Sequence, residues 1–358
     1  MKNTNKVSKM PVFGFAVIAA IVLSAALLLT GCIWNLLDDD DDGDGTTFTS
    51  VNAFREWLGK QPENTPETSY RVKLNIKELD KFDLGNALGS NKYVYIDFSG
   101  STFTTIPANA FAYPTIGNYR PTLTGIIIPD SVTSIGSYGL GGCTSLTTLT
   151  IPNSVTTIGE GAFESCTSLI SITLPNSVTS MGVSAFRNCT SLTSAAIPNS
   201  VTSIRYSTFE SCTSLKSVTI PDSVTEIEGS AFEKCSSLTS VTIPNNVTGI
   251  GTRAFENCTS LTSVNIPNSV TSIETRAFQS CASLTSVTIG NGVTSIGVYA
   301  FSGCSSLTSV TFKGTIAADN FNYYGDFPGD LRDKYLDAED GGPGTYTRDS
   351  GGNTWTKQ

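Results

Sequence analysis

Histidine is absent from all 358 residues. Its absence removes every Ser-His-Asp and Cys-His triad, every HExxH zinc site and every imidazole acid or base. Charge is sparse as well: Asp, Glu, Lys and Arg make up 15% of the chain, against about 25% in an ordinary globular domain. The charge that is present leans acidic, with 31 carboxylates to 22 bases and a net of −9. Phosphate backbones repel such a chain, which argues against nucleic acid as a partner. No nucleophile–base pair or paired carboxylates stand out, so the sequence predicts no enzyme, no cofactor and no small-molecule substrate. Serine, threonine and glycine are abundant, and the surface must be largely hydroxyl-bearing.

Long apolar runs are confined to the N-terminus. Lys2, Lys6 and Lys9 precede residues 12–29, which are apolar apart from Gly14 and Ser24. This is the layout of an export signal, with a retained transmembrane anchor as the alternative. Leu29-Thr30-Gly31-Cys32 resembles a bacterial lipobox. That resemblance implies that residues 1–31 are a cleaved lipoprotein signal peptide and that Cys32 is acylated, holding the rest on a membrane. Ile33 stands where an inner-membrane retention signal would have Asp, so the implied location is the outer membrane or cell surface. Residues 32–47, with carboxylates from Asp38 to Asp42, read as an acidic tether. Asp38, Asp40, Asp42 and Gly43 match the start of a calcium loop, but Thr49 occupies the position of its bidentate Glu, and no metal site is expected.

The body is periodic. Cys143, Cys166, Cys189, Cys212, Cys235, Cys258, Cys281 and Cys304 are spaced 23 residues apart, and Leu146 through Leu307 follow each by three. The unit reads Leu-x-x-Val-x-Ile-Pro-Asn-Ser-Val-Thr-Ser-Ile-Gly-x-x-Ala-Phe-x-x-Cys-x-Ser. Its apolar alternation directs Val241 and Ile243 inward and Ser240 and Thr242 outward. One unit cannot bury its own apolar side, so neighbours must stack, turning each repeat position into a ladder around a continuous core. Proline ends the first strand, Asn-Ser turns the chain, and Val-Thr-Ser-Ile forms a second short strand. Phe163 and its equivalents fill the core. The cysteines read as buried, reduced small hydrophobes, since thiols along a line without histidine suit neither disulfides nor metal.

Leu-x-x-Val-x-Ile and the period resemble the treponemal-type, BspA-like leucine-rich repeats of bacterial surface antigens. The expected fold is therefore a β-rich leucine-rich repeat solenoid with 23-residue repeats over 99–312. A small α/β N-terminal cap is expected over 48–98, with Val51, Phe54 and Leu58 on a helix and Val72, Leu74, Ile76 and Val94, Ile96, Phe98 on strands. Trp57 reads as core. A short C-terminal cap over 313–358 is expected to hold a helix, a turn and a strand that closes on Trp355.

Comparing the units separates what the fold requires from what varies. The outward strand positions hardly change: Thr148 to Ser309 form one hydroxyl ladder and Thr150 to Thr311 another. Such ladders suit a solvated strand face, and also the ordering of water. Variation gathers around Ile-Gly-x-x-Ala-Phe-x-x-Cys, where Glu164, Arg187, Arg205, Tyr206, Glu210, Glu233, Arg253, Glu256 and Arg276 are candidate partner-binding residues. The alternative is a charged face that only keeps the array soluble. The family resemblance implies a lipid-anchored surface adhesin that docks host or partner-cell proteins, including extracellular matrix. A structural or self-associating envelope lipoprotein is the alternative.

Overall fold

The computed structural model describes residues 46–81, 83–88, 92–111, 122–321 and 327–358. The signal peptide, Cys32 and nearly all of the acidic tether lie outside them; the first strand begins at Thr46, within the span read as tether.

The 23-residue period becomes a coil with two strand-bearing sides. On the first side, Thr46–Phe48, Tyr70–Leu74, Val94–Asp97, Leu123–Ile127, Thr148–Thr150 and Ser171–Thr173 form one parallel sheet. Register follows the repeat, with Thr148 opposite Ser171 and Ser263 opposite Ser286. Two-residue strands make the second side, for example Ser203–Ile204, Glu226–Ile227, Gly249–Ile250, Ser272–Ile273 and Ser295–Ile296. Here Thr hydroxyls reach back one rung: Thr156, Thr248 and Thr271 each donate Oγ1 to the preceding threonine carbonyl at 3.2–3.3 Å. The third side is a chain of tight turns joined by backbone bonds such as Phe163 N to Ala185 O at 2.9 Å.

The core lies between these sides as ladders of identical residues. Phe163, Phe186, Phe209, Phe232, Phe255, Phe278 and Phe301 stack face to face at centroid spacings of 5.1–5.5 Å. The eight cysteines from Cys143 to Cys304 are buried free thiols. From Cys166 onward each donates to a carbonyl 26 residues earlier, as Cys189 Sγ does to Phe163 O at 3.2 Å.

Strand pairing is less regular than the period. Both ribbons break between the rung of Ser171–Thr173 and Ser180–Met181 and the rung of Ser194–Ala196 and Ser203–Ile204. Met181, Ala195 and Ala196 stand there in place of residues that are β-branched in most units, which weakens strand formation on both sides at once. Segment 240–243 alternates in burial as expected but is not hydrogen-bonded as a strand. Water can satisfy backbone groups on this exposed side, so a lapse in pairing is tolerated while the core ladders continue.

At the N-terminal end the helix expected from Val51, Phe54 and Leu58 spans Val51–Lys60, and the Ser50 hydroxyl caps it by accepting from Ala53 N at 3.2 Å. Trp57 is partly buried, its ring 5.4 Å from Phe48 and 5.5 Å from Tyr70. A further short helix, Asp83–Leu88, is not marked in the sequence pattern. At the other end, Gly344–Thr347 pairs antiparallel with Ser309–Phe312 and is followed by Thr356–Lys357. Phe327, outside the repeat, adds an eighth ring to the stack, 4.6 Å from Phe301. Arg348 binds the last rung through Leu307 O at 2.6 Å and Ser305 O at 3.2 Å, and Trp355 is buried with Nε1 on Pro328 O at 2.8 Å. The end of the sheet is thus covered by pairing and by side-chain donors.

Candidate interaction face

The variable segment of each unit makes two turns that require positive φ. The first falls on Tyr138, Gly161, Ser184, Ser207, Ser230, Arg253, Arg276 and Tyr299, with φ between 54° and 62°. The second falls on Gly142, Ser165, Asn188, Ser211, Lys234, Asn257, Ser280 and Gly303, with φ between 59° and 75°. Glycine and asparagine tolerate this conformation; other L-residues pay roughly 1–2 kcal/mol. Arg253, Arg276, Tyr138, Tyr299 and Lys234 therefore place large side chains where the backbone favours small ones.

The exact repeat puts Glu164, Arg187, Glu210, Glu233 and Glu256 in one column, continued by Gln279. Arg187 bridges three rungs, with Nη1 3.3 Å from Glu164 Oε1 and Nε 3.1 Å from Glu210 Oε2. Glu233 is buried, and Lys234 Nζ lies 2.9 Å from its Oε1. Arg253 meets Glu256 at 3.3 Å. Arg205 Nε lies 3.1 Å from Glu228 Oε1, and the other oxygen of Glu228 accepts from Tyr206 N at 2.9 Å. Arg276 has its guanidinium 5.8 Å from the Tyr299 ring centroid. The candidate charges thus meet mostly as pairs and one triad.

These contacts shape the titration. Burial raises the Glu164 carboxyl above the usual range, against the pull of Arg187. Glu256 is raised by burial and then by the Glu233 carboxylate, with Arg253 acting the other way. Burial opposes the Arg187 cation, but Glu210 and Glu164 outweigh it and raise its pKa. The hydrogen bond to Glu233 raises Lys234.

Tyr206 is 50% exposed. Its ring lies over Gly229, where an added Cβ would come 2.9 Å from Tyr206 Cε2. Tyr138 covers Gly161 in the same way, at 2.3 Å from Cε1, and donates its hydroxyl to Glu160 at 3.1 Å. Tyr138 and Tyr299 were not among the sequence candidates, and for Tyr138 the available signal was a tyrosine followed one period later by glycine. Among the described residues no three His, Cys, Asp or Glu side chains are grouped to hold a metal, and no helix is long and apolar enough to cross a membrane.

No curated protein matches the chain. A leucine-rich cell surface protein of Faecalibacterium prausnitzii is 35% identical over 61% of this chain and 66% of its own, less than two thirds of that protein, with a TM-score of 0.46. A leucine-rich repeat protein of Bacteroides ovatus is 22% identical over 70% of this chain and 75% of its own, with a TM-score of 0.50, a likeness of fold. The leucine-rich repeat protein of T. pallidum is 26% identical over 60% of this chain and 82% of its own, with a TM-score of 0.35. The model of the BspA-type leucine-rich repeat region matches in six copies over residues 104–239 and 225–324. A leucine-rich repeat family of this kind fits a protein-interaction role, and with the match covering more than half its length the chain belongs to the BspA-type leucine-rich repeat family.

Proposed function

We propose that this is a cell-surface binding protein, held on the outer membrane by lipid at Cys32, whose turn edge docks proteins of a host or neighbouring cell. The observation that carries the reading is the placement of Arg253 and Arg276 at left-handed positions on the same turn edge that carries a half-exposed Tyr206. Folding favours Ser, Gly or Asn there, whereas Tyr and Arg are the side chains that anchor interfaces. Extracellular matrix proteins are the partners to screen first. In the test, immobilised fibronectin and fibrinogen are exposed to the wild-type chain and to Tyr206→Ala, Arg253→Ser and Arg276→Ser. Loss of binding in stably folded variants supports the reading; unchanged binding overturns these anchors. Protease treatment of intact cells tests exposure, since survival of the full-length protein until lysis would sink a surface role. A structural envelope role is favoured by one observation, that Arg187, Lys234 and Arg205 are already paired with carboxylates of the same chain.

A further inference from the structure

The first strand side carries a different chemistry. Its outward columns, from Thr148 to Ser309 and from Thr150 to Thr311, hold Ser and Thr with one Ala and one Asn, and no charge. The hydroxyls of Thr148 and Thr150 have no hydrogen-bond partner among the described residues, unlike those of Thr156 and Thr248, which are given to the preceding rung. Toward the N-terminal end this plain surface meets a cleft of about 250 Å³, lined by Tyr95, Ile127, Asp130, Thr148, Thr150 and Pro152 among others.

A glycine makes room for Tyr95, one of the residues that line the cleft. Gly125 is paired with Tyr95 on the neighbouring strand and occupies the column that holds Thr or Ser in the repeats. The Tyr95 ring fills the space a side chain would take, since a Cβ on Gly125 would lie 2.5 Å from its Cδ2 and Cε2. The Arg71 guanidinium lies 4.9 Å from the ring centroid. One column over, Ile127 stands 40% exposed where most of the repeats have Thr.

We propose that this cleft is a subsite for a neutral hexose unit, and that further units of the same glycan lie along the hydroxyl ladder. A pyranose has an apolar C–H face and a rim of hydroxyls, and the cleft offers Tyr95, Ile127 and Pro152 for the first and Thr148, Thr150 and Asp130 for the second. Its volume falls below the roughly 300–1,000 Å³ of pockets for drug-sized ligands and suits a single ring. The Asp130 carboxylate disfavours an anionic ligand. The two columns beyond offer no Tyr, Trp or Arg to anchor a protein, whereas hydroxyls both donate and accept, as a polyol requires. The proposal is independent of protein docking at the turn edge.

The test is calorimetric titration of the full chain with β-linked hexasaccharides of glucose, mannose, galactose and N-acetylglucosamine. At least one is expected to bind with Kd below about 1 mM, weakened about tenfold or more by Tyr95→Ala and by Ile127→Asp, while Tyr206→Ala leaves it unchanged. Ile127 is a surface residue, so its variant keeps the test decisive if loss of Tyr95 disturbs the fold. Absence of binding by all four sugars, binding unaffected by Ile127→Asp, or retention of an apolar hexapeptide in place of sugar would each overturn the proposal.

Discussion

Cys189 donates its thiol to the carbonyl of Phe163, 3.2 Å away in the preceding unit. Cys212 repeats the arrangement with Phe186 at 3.1 Å, and burial pushes the thiols of Cys166 and Cys212 up to about 12. Thiolate is the reactive form, so these cysteines are chemically silent while the fold is intact. With Cys143 through Cys304 buried, native protein is expected to show none of these thiols reacting with N-ethylmaleimide, and all of them after denaturation, read by mass spectrometry. Rapid labelling of the native chain at any of these positions would contradict the ladder.

The phenylalanine stack sets a second expectation. Phe232 is fully buried between Phe209 and Phe255, at 5.5 and 5.2 Å. Phe232→Ala should cost about 3–5 kcal/mol in denaturant unfolding. Since stability in a solenoid is a sum of nearest-neighbour terms, the loss should divide unfolding into two transitions.

Glycines discriminate between tight and open stacking. A Cβ on Gly182 would lie 2.3 Å from Glu160 N, a backbone atom that cannot swing aside, whereas at Gly249 the nearest atom is Ser272 Oγ at 4.0 Å. Gly182→Ala is expected to destabilise by about 1–3 kcal/mol. Gly249→Ala should be neutral or stabilise by up to about 1 kcal/mol. Thermal melting of both variants checks the contrast.

Arg276 holds φ at 60° and stacks on Tyr299 without a carboxylate partner in the described ion pairs. Replacing it by glycine relieves roughly 1–2 kcal/mol of backbone strain. The exposed cation–π interaction that the arginine makes with this ring is worth only about 0.5–1 kcal/mol. Arg276→Gly should therefore raise the denaturation midpoint, and a lower midpoint would show that the arginine stabilises the turn.

Acid should at first stabilise this protein. The carboxyls of Glu164 and Glu256 are raised in the folded state by burial, so between the ordinary carboxylate range and these raised values the native state binds more protons than the unfolded one. Stability then falls as pH rises through that window and recovers as pH is lowered through it. The effect is present below the unfolded value and lost above the folded one. Glu164→Gln should flatten part of the slope in unfolding measured between neutral and mildly acidic pH.

The repeat made much of the fold legible. Period fixes which residues share a column, so the inward Val241 and Ile243, the phenylalanine stack and the helix through Val51, Phe54 and Leu58 could all be read from residue type and spacing. It does not fix what a side chain does within its column. The Arg187 bridge depends on rotamers reaching both neighbouring rungs, and Phe327 joins the stack from outside the period. Tyr95 and Gly125 were hidden because the irregular early unit separates them by more than one period. Gaps in pairing at Met181 and Ala195 reflect local strand propensity, which a shared consensus conceals.

The reversed strand Gly344–Thr347 closes the array in a way no parallel rung could. Another unit cannot simply be added beyond it, yet one removed from the middle would bring together neighbours almost identical to those it separated. Joining Cys212 directly to Ser236 would restore the same ladders one rung shorter, with both closures untouched. Length of the array is thus the property this chain can alter by recombination in whole units, without redesigning either end.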